Sequence, residues 1–277
     1  MVSKKFTNFE WKVPSVIVTL PEGKDAKKLY NAVKANEASF DGSSKLGFID
    51  YNSGQIRGSN SFRTGQMNKL LKNSGVRVAV PGDDFNGDIY NLIKKKYYTD
   101  FNAYIVHKEK SNYEKNNGLW TRVSELIEEV NGSIPAHSMI KGFYTLPDKT
   151  ETNYGVKVVP ASNFELIEDD RLSGRYNEWK FDKVDEKGLP LNLDKSKGNR
   201  TFYTRNDGLS RVYLSGSGDL SARGGDLAYS SGSGRVVLVS DAEGVAPRNF
   251  EVEREINKKI SKLKKLKNKY LTEVKKI

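Results

Sequence analysis

The chain has 277 residues, 36% of them apolar, which is enough for one large packed domain or two ordinary ones and excludes a wholly disordered chain. Lysine and arginine number 46 against 35 aspartates and glutamates, a formal charge of +11 that requires an acidic partner to be weighed. There is no cysteine, which excludes disulfides, thiolate metal sites and a cysteine nucleophile.

Met1-Val2-Ser3-Lys4-Lys5 and the residues after it contain no unbroken apolar run that would serve as a signal sequence. No later segment approaches the roughly 20 apolar residues of a membrane-spanning helix. A soluble, unprocessed chain without a membrane span is expected, with the cytoplasm favoured. Ser15-Val16-Ile17-Val18-Thr19-Leu20 is β-branched and closed by Pro21-Glu22-Gly23, which predicts a strand and a turn. Leu29, Ala32, Val33 and Ala35 recur at helical spacing and predict a surface helix over 25–38. Leu46 to Tyr51 predicts a strand, Met67, Leu70 and Leu71 a short helix, and Val76 to Val80 a strand stopped by Pro81. Ile89, Leu92 and Ile93 predict a helix ending in Lys94-Lys95-Lys96. A strand over 103–106 and a helix over 119–130 follow, and this mixed order points to a region with both α and β structure over 1–112.

From Met139 the texture changes to strands and loops. Strands are expected over 140–144, 156–159 and 164–167, a long polar loop over 182–199, and another strand over 201–204. The carboxyl end, 248–277, places Val252, Ile256, Ile260, Leu263, Leu266, Tyr270, Val274 and Ile277 on one helical stripe, with lysines from Lys258 to Lys276 on the other faces. Such a helix packs on the domain, pairs with a second copy as a homo-oligomerisation element, or lies along a nucleic acid.

Residues 206–234 read NDGLSRVYLSGSGDLSARGGDLAYSSGSG. Apart from Leu209, Val212, Leu214, Leu220 and Leu227, only Asn, Asp, Gly, Ser, Arg, Tyr and Ala occur, and no lysine stands between Lys197 and Lys258. The five apolar residues interrupt the polar run singly, so they are expected as core anchors, and Arg235-Val236-Val237-Leu238-Val239 as a strand buried on both faces. Tyr, Arg, Ser, Gly and Asn on loops held by a rigid scaffold are the vocabulary of paratopes; a set of β-turns uses the same small residues. Each of these types is reachable when the adenines of an Asn codon ending in a pyrimidine are replaced at random. Lys, Glu, Gln, Met and Trp are unreachable that way, and all five are absent.

Asp207-Gly208-Leu209-Ser210-Arg211-Val212-Tyr213-Leu214, the spaced Leu220 and Leu227, and the closing Gly234-Arg235-Val236-Val237-Leu238-Val239-Ser240 resemble the variable proteins of diversity-generating retroelements. Those proteins carry a hypervariable recognition segment on a C-type-lectin-like scaffold. The resemblance implies an α+β fold with a C-type-lectin-like ligand-binding domain over 113–247; the 1–112 region, which does not align to that scaffold, is expected as a separate unit, and the basic amphipathic helix over 248–277 follows from its own periodicity. It implies a receptor that binds a protein or glycan ligand rather than an enzyme. Its contact residues would be Asn206, Asp207, Ser210, Arg211, Tyr213, Ser215, Ser217, Asp219, Ser221, Arg223, Asp226, Tyr229, Ser230, Ser231 and Ser233, with Arg211, Tyr213, Arg223 and Tyr229 as energetic anchors.

His107 and His137 are the only histidines, and neither adjoins a nucleophile motif. The acidic runs Glu168-Asp169-Asp170 and Asp182, Asp185, Glu186 do not follow the spacing of a calcium loop and read as solvated, so no cofactor is expected. Asn131-Gly132-Ser133 and Asn199-Arg200-Thr201 match a glycosylation tripeptide of a kind frequent by chance. Two further readings stay open: a basic protein binding nucleic acid through Lys258 to Lys276, and a structural or adhesive surface protein.

Overall fold

The computed structural model describes residues 18–40 and 43–240. The basic helix expected over 248–277, with the oligomer and nucleic-acid readings placed on it, lies outside the described residues, as does the start of the first expected strand. What is described is an α+β fold. Strand β5 (Thr99–His107) runs through its centre. Phe101, Ala103 and Ile105 enter one apolar cluster and Tyr104 and Val106 another, so the strand is buried on both faces, its polar Thr99, Asp100, Asn102 and His107 included.

Around it lies a seven-stranded sheet in the order β7-β6-β5-β10-β11-β9-β8. Its other members are β6 (His137–Pro147), β7 (Val156–Glu168), β8 (Trp179–Phe181), β9 (Arg200–Tyr203), β10 (Leu209–Leu214) and β11 (Leu220–Gly224). All neighbours pair antiparallel except β11 with β9. A second sheet holds β1 (Val18–Thr19), β12 (Leu238–Ser240) and β4 (Val76–Val78), with β12 in the middle. A hairpin of β2 (Asp50–Asn52) and β3 (Gln55–Arg57) completes the β structure.

Helix α4 (Asn117–Asn131) buries Leu119, Trp120, Val123 and Ile127 against one face of the large sheet and stops at Gly132, whose φ of 82° gives the left-handed close that glycine permits. Helix α2 (Ser61–Leu70) is buried on every side from Ser61 to Asn68, and Asn60 caps it by accepting from the Arg63 amide at 2.9 Å. Helices α1 (Gly23–Glu37) and α3 (Asp88–Ile93) pack against the smaller sheet and the opposite face of the large one, respectively.

Three expectations are corrected here. A boundary at residue 112 has no counterpart, because β5 lies between β6 and β10, and β1 and β4 flank β12. The first 112 residues and the later ones share their cores. The strands expected over 156–159 and 164–167 are one strand, β7, which runs through Pro160; the edge position of β7 leaves that nitrogen with no partner to lose. The strand expected over 46–51 shortens to Asp50–Asn52 behind a 3-10 turn at Ser43–Leu46.

Leu214 sits at 0% exposure where β10 faces the first cluster. Leu214→Ala is expected to lower the unfolding free energy by about 2–5 kcal/mol in a urea titration, and Leu214→Met by less than about 1.5 kcal/mol.

Candidate functional site

Strand β10 divides its side chains between two faces. Val212 and Leu214 join Leu220 and Ala222 of β11 in the first cluster, while Leu209 on the other face joins Leu227 and the α4 residues in the second. All five expected anchors are therefore buried, at 0–3% exposure. Between Leu227 and β12 the chain has no regular strand or helix, so its polar backbone groups need partners from elsewhere.

Those partners come from outside the loop, and they address its backbone. Asn116 Nδ2 donates to the carbonyl of Gly225 at 2.6 Å, Ser61 Oγ to Leu227 at 3.2 Å, Asn60 Nδ2 to Ala228 at 3.0 Å and Arg211 Nη1 to Tyr229 at 3.0 Å. The Ser231 amide donates to the Tyr98 hydroxyl at 2.9 Å, the Tyr98 amide to the Ser233 carbonyl at 3.3 Å, and the Gly58 amide to the Gly234 carbonyl at 2.9 Å. Gly47, at φ 78°, passes close beneath: a β-carbon there would overlap the Ala228 carbonyl oxygen and the Asn60 amide.

Arg211 is the hub under this loop. It is 5% exposed, pairs with the fully buried Asp100 at 2.9 Å, and has the rings of Tyr213, Tyr229 and Tyr98 at 4.5, 5.0 and 5.9 Å from its guanidinium carbon. Burial pushes the Asp100 carboxyl up from 3.8 to about 6, against the pull of Arg211 and a hydrogen bond from Ser59.

Beside this hub lies a surface row. Tyr213 on β10 opposes Ser221 on β11, which opposes Tyr203 on β9, so the three share a face. Arg223 lies over the Tyr203 ring at 4.2 Å and reaches Asn177 and Glu178 at 3.2 and 3.4 Å. Tyr229 is 51% exposed, and Phe48, 42% exposed, adjoins the loop through its carbonyl, which accepts from Ser230 Oγ at 2.8 Å. Tyr203, Tyr98 and Phe48 lie outside 206–234. The strand alternation of Thr201-Phe202-Tyr203-Thr204 held the signal for Tyr203, since Phe202 is core; nothing local marked Tyr98 or Phe48.

The contact residues expected in 206–234 divide into four groups. Arg223, Asp226, Tyr229 and Ser233 are exposed, and Tyr213 and Ser230 half-buried, around the Arg211 hub. Ser215, Ser217 and Asp219 form the β10–β11 turn and bond one another, at 2.7 Å between the serine hydroxyls and 2.8 Å from Ser217 to Asp219. Asn206 and Asp207 lie at the other end of β10, where Asn206 Oδ1 accepts from the Gly174 amide at 2.7 Å and Asp207 pairs with Arg205 at 3.4 Å. Ser231 bonds Ser233 through their hydroxyls at 3.0 Å. Ser210, Arg211 and Ser221 do not face outward: they are 0, 5 and 3% exposed. Ser210 turns with Val212 into the sheet, Arg211 is drawn under the loop by Asp100, and Ser221 lies between two tyrosines.

The two histidines meet each other, with Nδ1 atoms 2.9 Å apart where β5 pairs with β6. Burial, then His137 and Arg205, lower the His107 pKa to about 3, so it is neutral at ordinary pH. The two acidic runs also meet: Arg171 joins Asp169 at 2.7 Å to Asp185 at 2.8 Å. Among the described residues no group of three or more His, Cys, Asp or Glu is placed to hold a metal ion, and no helix is long and apolar enough to cross a membrane. Searches of protein-family models, curated proteins and solved structures give no match to this chain.

Asp100 gives the site a pH signature. Folded, its carboxyl keeps a proton to about pH 6; unfolded, it releases it near 3.8. The folded state binds more protons in between, so stability falls as pH rises from about 4 to about 6 and then levels. The difference in unfolding free energy between wild type and Asp100→Asn is expected to move against the wild type by roughly 1.4 kcal/mol per pH unit over that window. A flat difference would mean that Asp100 titrates as it does in the unfolded chain.

Proposed function

We propose that the chain is a non-enzymatic ligand-binding protein that presents residues 206–234 as a diversified recognition surface, on a C-type-lectin-like scaffold of the kind found in variable proteins of diversity-generating retroelements. The observation that carries this reading is the way the loop is held. Asn60, Ser61, Asn116 and Arg211 bond its carbonyl oxygens, and Tyr98 its amide and carbonyl groups, instead of its side chains. Backbone groups are the same in every residue except proline, so side chains at exposed positions can change while the loop keeps its path.

Rigid display limits the entropy lost on binding. Tyr213, Arg223 and Tyr229 offer the large, stiff, amphipathic contacts that dominate binding energy, and the serines around them adapt hydrogen bonds at small steric cost. A protein or glycan ligand suits such a mixed aromatic and polar surface. The histidine pair supports a binding role rather than a catalytic one: His107 is buried, held neutral, and has its Nδ1 occupied by His137.

Deep sequencing of the gene and its flanking DNA across the source population tests the function. Variation is expected at the codons of exposed positions such as Arg223, Asp226, Tyr229 and Ser233, with Leu214, Leu220 and Leu227 constant and a near-copy repeat beside a reverse transcriptase gene. An invariant segment without a repeat would overturn the reading. Thermal or urea denaturation tests the physical basis. Ser233→Ala is expected to shift stability by no more than about 0.5 kcal/mol. Asn60→Ala, which removes a helix cap and leaves two carbonyls without this donor, is expected to cost about 1–3 kcal/mol.

A further inference from the structure

The opposite face of the large sheet, at its β8 edge, carries a second feature that the recognition surface does not use. Trp179 on β8 opposes Phe202, whose side chain enters the core, so Trp179 lies on the other face from Tyr203. There a groove of about 600 Å³ opens between Tyr176 and Trp179 on one side and Pro190, Leu191, Asn192 and Leu193 on the other. The rings of Tyr176 and Trp179 meet edge to face with centroids 5.0 Å apart. The walls are tied by Arg171, which donates to the Pro190 carbonyl at 3.0 Å and is itself neutralised by Asp169 and Asp185.

Two cations are left over. Arg175 is exposed, lies over the Tyr176 ring at 4.6 Å and donates to its hydroxyl. Lys195 is exposed and lies over the Trp179 ring at 5.7 Å. Neither has a carboxylate partner among the described residues, and no carboxylate lines the groove. Stacking rings with uncompensated Arg and Lys at their faces complement a ligand that joins a flat π system to a negative charge.

We propose that this groove binds a nucleobase together with its attached phosphate. The base stacks at Trp179 and on the outer face of the Arg175 guanidinium, and Arg175 and Lys195 neutralise the phosphate, the combination by which single-stranded nucleic acids and nucleotides are held. Asn192, in the left-handed region at φ 52°, brings an amide donor and acceptor to the groove for the base edge. The chain's charge of +11 supports approach of such a ligand but does not place it.

The test is a tryptophan-fluorescence titration of the full chain near physiological salt with adenosine monophosphate, a short oligoadenylate and inorganic phosphate. Saturable quenching by the nucleotide or the oligonucleotide, and none by phosphate, is expected. A response to the monophosphate assigns a free nucleotide, and one restricted to the oligonucleotide assigns a strand. Arg175→Glu and Lys195→Glu are expected to weaken binding roughly tenfold each, Trp179→Phe to remove most of the quench, and Lys24→Glu, an equal charge change at an exposed position of α1, to leave both unchanged. No saturable response, an equal response to phosphate, or equal loss in Lys24→Glu would overturn the proposal.

Discussion

The ion pair between Arg211 and Asp100 is the contact on which the loop and the surface beside it depend. It joins the central strand to its neighbour at the point where the β5–β10 register shifts, and the same guanidinium holds the Tyr229 carbonyl. A buried pair of this kind adds little net stability over apolar residues of the same shape, but breaking it by removing one partner is severe, because the other is left buried without compensation. Its worth here is positional. It fixes where Tyr213 and Tyr229 stand, since both rings pack on the guanidinium. Gly224 adjoins it too: a β-carbon there would come within 2.9 Å of the arginine side chain. The loop path and the aromatic surface both meet at one buried cation.

Around that hub the fold solves a general problem of loops without regular structure. A loop without secondary structure carries unpaired amides and carbonyls, and leaving them dry would cost more than the contacts the loop makes. Asn60, Ser61 and Asn116 supply donors from the start of α2 and the turn before α4, elements whose own positions are set by burial in the second cluster. Asn60 does double duty, since its Oδ1 caps α2 while its Nδ2 bonds the Leu46 and Ala228 carbonyls. The order of the loop is thereby inherited from helix packing.

Much of this was legible in the chain, and the gaps have physical causes. Anchors spaced singly through a polar run told which of Leu209, Val212, Leu214, Leu220 and Leu227 would be buried, because period-two alternation and isolated leucines both signal a packed face. Alternation fails for polar residues: Ser210 shares the inward face with Val212, and a serine small enough to be buried announces nothing. Arg211 is buried where its composition suggests exposure because its partner lies 111 residues earlier, and a long-range ion pair leaves no local trace. The same limit hid Tyr98 and Phe48. The apparent boundary near residue 112 reflected a real change of texture, from helices and strands to strands and loops, but a change of texture does not prevent both halves from sharing one sheet.

The position of Arg211 bears on how freely the surface can change. It stands inside the compositionally narrow segment, yet the residues that can replace it are constrained by Asp100 beneath it. A neutral replacement would leave a buried carboxylate alone, which is among the costliest defects a core can hold. Asp100, however, already gives up its charge more readily than a solvated aspartate, with its pKa near 6. A protonated carboxyl needs one hydrogen-bond acceptor and no counter-ion. Protonating Asp100 therefore limits only the electrostatic share of the cost of losing Arg211, to about 1.4 kcal/mol for each pH unit above 6; the lost bond to the Tyr229 carbonyl and the three lost ring contacts come in addition. The charge at the hub thus has a neutral alternative in Asp100, whereas a buried leucine has none for the packing it loses.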